Sequence, residues 1–381
     1  MKNIVIIGAG EFQNPLILKA KELGYTTHVF AWEEGAVGKE TTDFFYPISI
    51  VEKEQILTEC QRIRPEAVVS IASEVANLTV QYLSEKLGLT CNSRQCLECS
   101  TNKYKMRCAF QQAGLKTPAF RTVADAAELG DCAEFHFPVI VKPTDRSGSR
   151  GIFKVSRREK LDAAIRSSVA NSFEKKVMVE EYLDGPEYSC ESISWQGEHH
   201  MLAITKKYTT GSPHFIETGH MEPSNLSEEM CEKVRGVVYA ALDALGVRYG
   251  ASHSEFRVSA DGSIGIIEIG SRMGGDCIGS DLVYLSTGMD FLKMVIDVAA
   301  GRMPDLTPVF SPRAAAVRFV FGQEDLDVLN RIREKAPEAL YRVSKIQPLS
   351  SHTVVDSGTR FGHYILSCGD AESCRTLSEL C

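Results

Sequence analysis

The sequence has no apolar run that approaches the roughly 20 residues of a membrane-spanning helix. Its opening stretch, MKNIVIIGAG, is too short to span a bilayer and ends in a glycine turn, which predicts a first strand rather than a signal peptide. We therefore expect no membrane partner and a cytoplasmic location. In that compartment the 12 cysteines would stay reduced.

The cysteines also lack a common zinc-binding spacing. Four of them lie loosely together in the sequence, at Cys91, Cys96, Cys99 and Cys108. Their separations match none of the usual ligand pairs of zinc sites. We interpret them as buried or half-buried thiols, and a structural zinc site is the less favoured alternative.

The chain also has fewer basic than acidic residues. The chain has 42 Lys and Arg against 50 Asp and Glu, which gives a formal net charge of −8. Proteins that bind nucleic acid broadly carry a basic footprint, so we expect no nucleic-acid partner, although a local basic pocket for a small anion is still compatible with this charge. At 381 residues, with 44% hydrophobic and 24% charged residues, the composition is that of a globular protein of two or three domains.

A third glycine is missing from what begins as a dinucleotide-binding fingerprint. Gly8-Ala9-Gly10 follows an apolar strand, but the position for the third glycine holds Gln13. Asp43 stands too far along the chain to be a convincing ribose-binding acid. We favour a tight glycine turn in a Rossmann-like domain, and an NAD-dependent oxidoreductase is the alternative.

The order of predicted elements divides the chain into three parts. Residues 1–100 alternate buried strands with helices, which predicts a parallel sheet covered by helices on both faces. Residues 101–310 contain strands, a glycine-rich loop, an amphipathic helix and a hairpin, which is typical of an α+β domain. Residues 311–381 predict a small, mostly β C-terminal module.

The hairpin EFRVSADGSIGIIEIGSR, residues 255–272, sets two like charges against each other. Asp261-Gly262 predicts a two-residue turn, and the resulting register places Glu255 directly opposite Glu268. Like charges so placed repel each other, and a divalent cation between them would remove the conflict. The alternative is a pair of exposed glutamates on a solvated face.

Two further segments suggest an anion-binding cavity. In VKPTDRSGSRGIFKV, Lys142 ends an apolar strand and precedes a turn of small residues whose N–H groups can approach an anion. The lysine comes before the turn, so this is not a Walker loop, and an ordinary glycine hairpin with a solvated lysine is the alternative. In VMVEEYLDGPEYS, a strand runs into a connector whose backbone groups can meet a purine ring.

Taken in order, these segments resemble the ATP-grasp superfamily. The matching set is a helix with Lys103, then VIVKP with its glycine turn, VEEYLDGPEYS, SEFRV and IIEIGSR, and it covers roughly residues 1–310. The resemblance implies an ATP-grasp domain of two α+β subdomains, residues 101–180 and 181–310, that hold ATP between them. Mg²⁺ is the implied metal, with Mn²⁺ as an alternative.

The resemblance also implies roles for individual residues. Two lysines contact phosphates, with Lys142 also near the adenine; the turn closes over the triphosphate; and Glu187 accepts hydrogen bonds from the ribose. The backbone at 181 and 183 reads the adenine edge, with Glu180 nearby. The implied nucleotide-binding residues are Lys103, Lys142, Ser147, Gly148, Ser149, Gly151, Glu180, Glu181, Leu183 and Glu187. The implied metal ligands are Glu255 and Glu268.

One position departs from the family pattern. The family commonly has an asparagine two residues after the second acid as a further metal ligand, and this chain has Gly270. Because Mg²⁺ keeps several waters in most sites, we do not take the glycine as loss of activity.

Strand alternation places more side chains beside the metal acids. His253 shares a face with Glu255, and Arg272 shares a face with Glu268 if the strand continues. The arginine fork suits a carboxylate or an acyl phosphate, whereas a salt bridge to Glu268 is its structural alternative. For His253 the alternative is a core histidine. The expected catalytic residues are Arg272, Lys207 and His253, and weaker candidates for the pocket are Glu217, His220 and Arg318.

These features predict an ATP-dependent carboxylate–amine ligase. The resemblance is strongest to ligases of amino acids, which activate a carboxylate as an acyl phosphate and join it to an amine, releasing ADP and phosphate. The expected partners are therefore small, amino-acid-like carboxylates and amines, and a homodimer is a habit of the superfamily. A carboxylase-type enzyme that activates bicarbonate is the near alternative. A non-catalytic ATP-binding regulatory protein is the alternative from another class, and the glycine at 270 favours it.

Overall fold

The computed structural model describes residues 2–130, 135–146, 148, 150–212 and 215–380. Ser147 and Ser149 of the predicted phosphate turn lie outside the described residues. No helix of the described part is long and apolar enough to cross a membrane.

The N-terminal part is a parallel sheet with helices packed on it. Its strands run in the order β3-β2-β1-β4, and every pairing is parallel. This confirms the predicted Rossmann-like domain. The elements are β1 (Lys2–Ile7), α1 (Asn14–Glu22), β2 (Tyr25–Phe30), β3 (Phe44–Tyr46), α2 (Lys53–Ile63), β4 (Ala67–Val69) and α3 (Glu74–Leu87).

The first glycine turn is closed by a side chain. Gly8 adopts a φ of +99°, which only glycine takes readily. The amide of Gln13 lies in the turn, where Oε1 accepts from the Gly10 N–H at 3.1 Å and Nε2 donates to the Ile71 carbonyl at 3.1 Å. Asp43 is also engaged, since its carboxylate accepts from the Thr27 backbone N–H at 2.9 Å. This packing supports a structural turn over a dinucleotide site.

The second part is a small antiparallel sheet in the order β5-β8-β6-β7. Its strands bury valines against helix α6 and form one hydrophobic core. The helix predicted to contain Lys103 is found as α5, and a further helix, α4, precedes it; Asn102 lies between the two and caps α5, accepting from the Tyr104 and Lys105 N–H groups. The elements are α4 (Arg94–Thr101), α5 (Lys103–Gln112), β5 (Phe120–Val123), β6 (Val139–Pro143), β7 (Phe153–Val155), α6 (Leu161–Asn171) and β8 (Val177–Glu181).

The third part is an eight-stranded sheet in the order β13-β12-β9-β10-β11-β14-β16-β15. Strands β14 to β16 come from residues 311–381, so the C-terminal module extends this sheet and adds two helices beside it. The elements are β9 (Glu187–Trp195), β10 (Glu198–Thr209), β11 (Glu217–Glu222), α7 (Glu228–Leu245), β12 (Gly250–Val258), β13 (Ile264–Gly270), α8 (Val283–Thr287), α9 (Phe291–Ala299), β14 (Ala314–Phe319), α10 (Gln323–Lys335), β15 (Leu340–Val343), β16 (His363–Cys368) and α11 (Ala371–Ser378).

The hairpin of β12 and β13 has the predicted pairing of Glu255 with Glu268. The predicted two-residue turn is wrong, because the Ser259 N–H bonds to the Ser263 carbonyl and leaves three residues in the loop. That shifts the register by one residue, so that Val258 pairs with Ile264. A bulge on β13 between Ile266 and Glu268 shifts it back. The shift at the loop and the opposite shift at the bulge were not predicted, and together they restore the predicted pairing of the two glutamates.

Candidate active site

A cavity lies between the small and the large sheet. Its small-sheet wall is formed by α5, β6 and β8, and its large-sheet wall by β9, β11, β12, β13 and the segment after β13. The predicted site residues that line it are Lys103, Lys142, Gly148, Glu180, Leu183, Glu187, His253, Glu255, Glu268 and Arg272, together with the weaker candidate Glu217.

The small-sheet wall contains a buried carboxylate held by two cations. Glu180 accepts from Lys142 Nζ at 2.6 Å and from Arg107 Nε at 2.8 Å, and all three side chains are at most 5% exposed. Burial opposes the charge of Glu180, but Arg107 and Lys142 outweigh it and lower the pKa of that carboxyl. The pKa of Lys142 is also lowered, by burial and by Arg107, against the pull of Glu180.

Arg107 was not predicted as a site residue. It also donates from Nη2 to the Ile267 carbonyl at 2.9 Å and so joins α5 to β13. The buried positions of α5 are Lys103, Met106, Arg107 and Phe110, an apolar-stripe spacing in which an arginine is unusual. That spacing is the signal in the sequence that would have found it.

Lys103 connects the two walls. It is the first residue of α5, and its Nζ donates to Glu268 Oε2 at 2.9 Å and to the Arg146 carbonyl at 2.8 Å. The Lys103 N–H bonds to the Thr144 carbonyl at 2.9 Å, which fixes the helix start against the end of β6. This lysine is therefore positioned between the predicted phosphate turn and the second metal acid.

Lys207 lies on β10, is not among the residues that line the cavity, and pairs with carboxylates of the large-sheet wall. Its ammonium is ion-paired with Glu255, lies 3.4 Å from Glu187 Oε1 and 3.8 Å from Glu217 Oε1, and is 4% exposed. Burial alone would lower the pKa of Lys207, but these carboxylates raise it above its ordinary value. Burial likewise opposes the charge of Glu255, yet Lys207 and His253 hold its pKa well below the usual range.

His253 is buried, links two carboxylates and lines the cavity. Nδ1 is hydrogen-bonded to Glu191, and Nε2 lies 3.2 Å from Glu255 Oε1. Burial would lower the pKa of His253, but Glu191 and Glu255 raise it to about 9, so the ring is protonated at neutral pH. Sequence reasoning missed Glu191, which is fully buried on β9. Its role is to orient the imidazolium toward Glu255.

Arg272 pairs with a residue that sequence reasoning did not consider. Its Nη2 lies 2.7 Å from Glu74 Oε1, and the two side chains are 15% and 14% exposed. The expected structural alternative, a salt bridge to Glu268, is therefore wrong about the partner. Glu74 belongs to α3 of the N-terminal part, so Arg272 is paired with a carboxylate from another region of the chain.

The residues predicted to hold ribose and adenine are hydrogen-bonded to other residues of the chain. Glu187 Oε2 accepts from Arg257 Nη2 at 2.9 Å, and Arg257 in turn contacts the Tyr182 hydroxyl and the Leu183 carbonyl. Leu183 lines the cavity as predicted. The Glu181 side chain does not, because it accepts from the backbone and ring of an exposed histidine, His136.

The described part of the phosphate turn has the geometry expected of glycine. Gly148 lines the cavity, and Gly151 adopts a φ of +72°. A Cβ on Gly151 would lie 2.9 Å from that of Asn171, so a larger residue would meet α6. Between these glycines, Arg150 Nε reaches to 3.7 Å from Asp356 Oδ2 in the C-terminal module.

The weaker candidates lie in different places. Arg318 binds Asp325 at 2.8 Å within the C-terminal module and does not line the cavity. His220 is 1% exposed, and within the described residues neither ring nitrogen has a hydrogen-bond partner, the nearest carboxylate being that of Asp276 at 3.7 Å. Asp276 is bound by both terminal nitrogens of Arg360, at 2.9 and 2.6 Å.

Glu255 and Glu268 fit a divalent cation shared with phosphates. They are directly paired on adjacent strands, and both line the cavity. In the described ranges no three His, Cys, Asp or Glu side chains come together as a group that could hold a metal ion, and this includes the four clustered cysteines. Two carboxylates completed by substrate phosphates are a usual Mg²⁺ environment.

Comparison with known proteins agrees with this geometry. Residues 135–280 match the family described as the ATP-grasp domain. The chain is 27% identical over 304 residues to alanine–anticapsin ligase of Bacillus subtilis, covering 70% of this chain and 64% of that protein.

Solved structures resemble the whole chain. The L-amino acid ligase of Bacillus licheniformis superposes with a TM-score of 0.82 at 25% identity, over 100% of this chain and 96% of that one. The biotin carboxylase domain of the Hydrogenobacter thermophilus 2-oxoglutarate carboxylase, with MgADP and bicarbonate bound, has a TM-score of 0.76 at 18% identity, over 98% of this chain and 88% of that one. The chain spans 56–64% of the length of the curated relatives it matches first. The predicted ATP-grasp resemblance and fold class are confirmed.

Proposed function

We propose that this chain, a member of the ATP-grasp superfamily, is an ATP-dependent carboxylate–amine ligase acting on small amino-acid-like substrates. The observation that carries the proposal is the opposed pair Glu255 and Glu268, which both line one cavity and are each ion-paired with a different lysine. Such a wall can hold a metal–nucleotide complex through its carboxylates and phosphate oxygens through its lysines.

The nucleotide end of the cavity is supplied by residues of both walls. Lys103 and Lys142 are fixed beside the predicted phosphate turn and can donate to phosphate oxygens, while Glu187 can accept from ribose hydroxyls. Glu255 and Glu268 would hold Mg²⁺, with Mn²⁺ as a substitute, and the ion would offset charge on the transferring phosphoryl group. Lys207 and His253 keep Glu255 ionised for that role.

The acceptor end is supplied by Arg272. Its guanidinium can bind two oxygens of a carboxylate and hold it in line with the γ-phosphorus of ATP. A carboxylate oxygen then bonds to that phosphorus as the bond to ADP breaks, which leaves an acyl phosphate. The amine nitrogen attacks the acyl carbon and loses a proton, and the carbon–oxygen bond to phosphate breaks. The products are an amide or peptide bond, ADP and phosphate.

Two similarities support an amino-acid substrate. The curated relative is named for joining alanine to anticapsin, and the whole-length structural match is named as an L-amino acid ligase. The fold likeness to a biotin carboxylase domain supports a bicarbonate-activating enzyme as the second candidate. Both candidates share the nucleotide end of the cavity and differ in what Arg272 binds.

The test is a matrix of acids and amines, with a bicarbonate arm, assayed for release of phosphate and ADP. We expect turnover with at least one pair of amino acids and loss of at least about a hundredfold in Glu268→Gln. Glu229→Gln is the matched control, because that glutamate is exposed on α7 and pairs with Lys233 at the surface. Turnover with bicarbonate alone would favour the carboxylase, and ATP binding without turnover on any pair would favour a regulatory protein.

A further inference from the structure

Arg146 is a cation of the cavity that has no carboxylate partner within the described chain. It follows the end of β6, and its half-buried side chain lines the cavity. Its Nε is buried, and the described residues offer this atom no hydrogen-bond partner and the guanidinium no ion pair. The other Lys and Arg side chains that line the cavity each pair with an acid, as Lys103–Glu268, Lys142–Glu180, Arg257–Glu187 and Arg272–Glu74. An unpaired cation in such a cavity indicates an anionic ligand.

The guanidinium of Arg146 lies over an aromatic ring. Its Cζ is 4.3 Å from the ring centroid of Phe173, which belongs to the connection between α6 and β8. That phenylalanine is 69% exposed, so its burial contributes little to the stability of the core. An aromatic face attracts a guanidinium and orients it without using its N–H groups. The contact therefore holds Arg146 in place and leaves its donors available.

Asp145 holds the segments of the arginine and the ring together. Its Oδ1 accepts from the Ser172 hydroxyl at 3.0 Å, and its Oδ2 accepts from the Glu174 N–H at 2.6 Å. These two partners flank Phe173 in the sequence. The acid next to Arg146 thus fixes the chain on both sides of the ring, so the place of the ring beside the arginine is defined by three consecutive residues.

The acids nearest to Arg146 in these segments are used elsewhere. The carboxylate of Glu174 accepts from Asn102 Nδ2 at 3.0 Å and from Thr144 Oγ1 at 3.2 Å. Asp145 is engaged by the contacts described above. The fold therefore brings two carboxylates close to the arginine in sequence and pairs neither of them with its guanidinium.

The backbone of Arg146 places it at the end of the cavity that holds the proposed metal ligands. Its carbonyl accepts from Lys103 Nζ at 2.8 Å, and the same ammonium lies 2.9 Å from Glu268 Oε2. In phosphoryl-transfer sites the metal bridges the β- and γ-phosphates of the nucleotide. Because a single lysine joins Arg146 to Glu268, these phosphates are the anion expected beside the arginine.

We propose that Arg146, held by the ring of Phe173, donates to oxygens of the β- and γ-phosphates of the bound nucleotide. The inference rests on the proposed function, because it takes the cavity as the nucleotide site. Arg146 is the residue that touches the ligand, and Phe173 is a positioning residue that acts through it. The guanidinium fork matches phosphate oxygens and brings a positive charge that no acid of the described chain offsets.

The test compares the affinities for ATP with Mg²⁺ and for AMP, measured by isothermal titration calorimetry without an acceptor acid. We expect Arg146→Ala to weaken ATP binding on the order of tenfold to a hundredfold. AMP binding should not change, because AMP lacks the β- and γ-phosphates. Phe173→Ala should weaken ATP binding roughly two- to fivefold. In the Arg146→Ala background it should have no further effect, since the ring acts through the arginine.

Matched variants separate this role from a merely structural one. Phe173→Tyr keeps the ring and should bind ATP as wild type does. Arg158→Ala removes an arginine that pairs with Asp162 at the surface, and it should change neither affinity. Should Arg146→Ala fail to fold, Arg146→Gln keeps most of the bulk without the charge, and the same selective loss of ATP binding is expected.

Three results would overturn the inference alone. One is a folded Arg146 variant that binds ATP as tightly as wild type does. Another is an equal loss of ATP and AMP affinity, which would place the arginine away from the β- and γ-phosphates. The third is an effect of Phe173→Ala that persists without the arginine, because the ring would then not act through it. If the wild-type protein binds neither nucleotide, the proposed function fails first and the inference fails with it.

Discussion

The two walls of the cavity differ in how completely their buried charges are paired. In the small-sheet wall one carboxylate, Glu180, is shared by Lys142 and Arg107, and every charged oxygen has a short contact. In the large-sheet wall carboxylates outnumber cations, Lys207 serves three of them, and buried atoms of Glu191 and Arg272 have no hydrogen-bond partner within the described chain. A closed network supports the fold, whereas an incompletely paired one leaves atoms for a ligand.

The largest effect on stability is expected from the buried carboxylate of the small-sheet wall, and the acid next to it in the sequence serves as the comparison. Glu180→Ala leaves Lys142 and Arg107 buried without a carboxylate, so we expect a loss of about 3–5 kcal/mol in the free energy of unfolding. Glu181→Ala removes only a contact with the exposed His136 and should cost less than about 1 kcal/mol. Urea unfolding of both variants measures this, and equal losses would refute the interpretation of the small-sheet wall as a closed network.

A smaller loss of stability is expected from breaking the ion pair of Asp276 with Arg360. Asp276→Ala removes the carboxylate from Arg360, which is 4% exposed but keeps the Ser357 carbonyl at 2.7 Å and the Phe319 ring at 3.5 Å. We expect a loss of about 2–3 kcal/mol in unfolding free energy. Adding Arg360→Ala should restore part of it, because no charge then stays buried. No recovery in the double variant would show that packing, not charge, dominates there.

Glu222, the last residue of β11, should make the stability of the fold depend on pH. It is fully buried between Thr205 Oγ1 at 2.7 Å and Ser286 Oγ at 2.6 Å, and burial raises its pKa to about 8. Between pH 4.5 and about 8 the folded chain holds a proton that the unfolded chain has released, so stability falls as pH rises, by at most about 1.4 kcal/mol per pH unit.

Unfolding free energies of wild type and Glu222→Gln at pH 5 to 8 would measure that contribution. The amide cannot ionise, so the decline across this window should be shallower in the variant. Parallel curves for the two proteins would mean that Glu222 does not titrate in the folded state as its burial predicts.

The smallest effect is expected where the phosphate turn meets the C-terminal module. Arg150 and Asp356 are 3.7 Å apart, and the arginine side chain is 50% exposed. Arg150→Ala should therefore change the unfolding free energy by less than about 1 kcal/mol, and less still in high salt. Unfolding at two salt concentrations measures it. A loss of several kcal/mol would show that the walls are coupled through this contact.

The sequence predicted the features that follow from local patterns. The parallel N-terminal sheet follows from alternating strand and helix signals, and the pairing of Glu255 with Glu268 follows from the hairpin. Even there the bulge on β13 was not predicted, because nothing in the turn residues specifies it. The correct pairing resulted from two compensating shifts of one residue.

Contacts between distant segments were not predictable in this way. Arg107 is 73 residues from Glu180 and 160 from Ile267, and only the docking of α5 brings them together. The contact of Glu74 with Arg272 depends on how the N-terminal sheet packs against the large one, which no strand register specifies. The glycine at 270 was noticed as an anomaly, but its close approach to Glu74 depends on the position of a helix nearly two hundred residues earlier.

The continuity of the eight-stranded sheet has a consequence for the end of the chain. Strand β14 covers β11 along Gly219–Glu222, on the strand that also carries Glu217 and His220. A chain stopped at residue 310 would leave that strand with a free row of N–H and C=O groups, and such an edge recruits strands from other molecules. By pairing with β11, β14 covers an edge that a shorter chain would leave open.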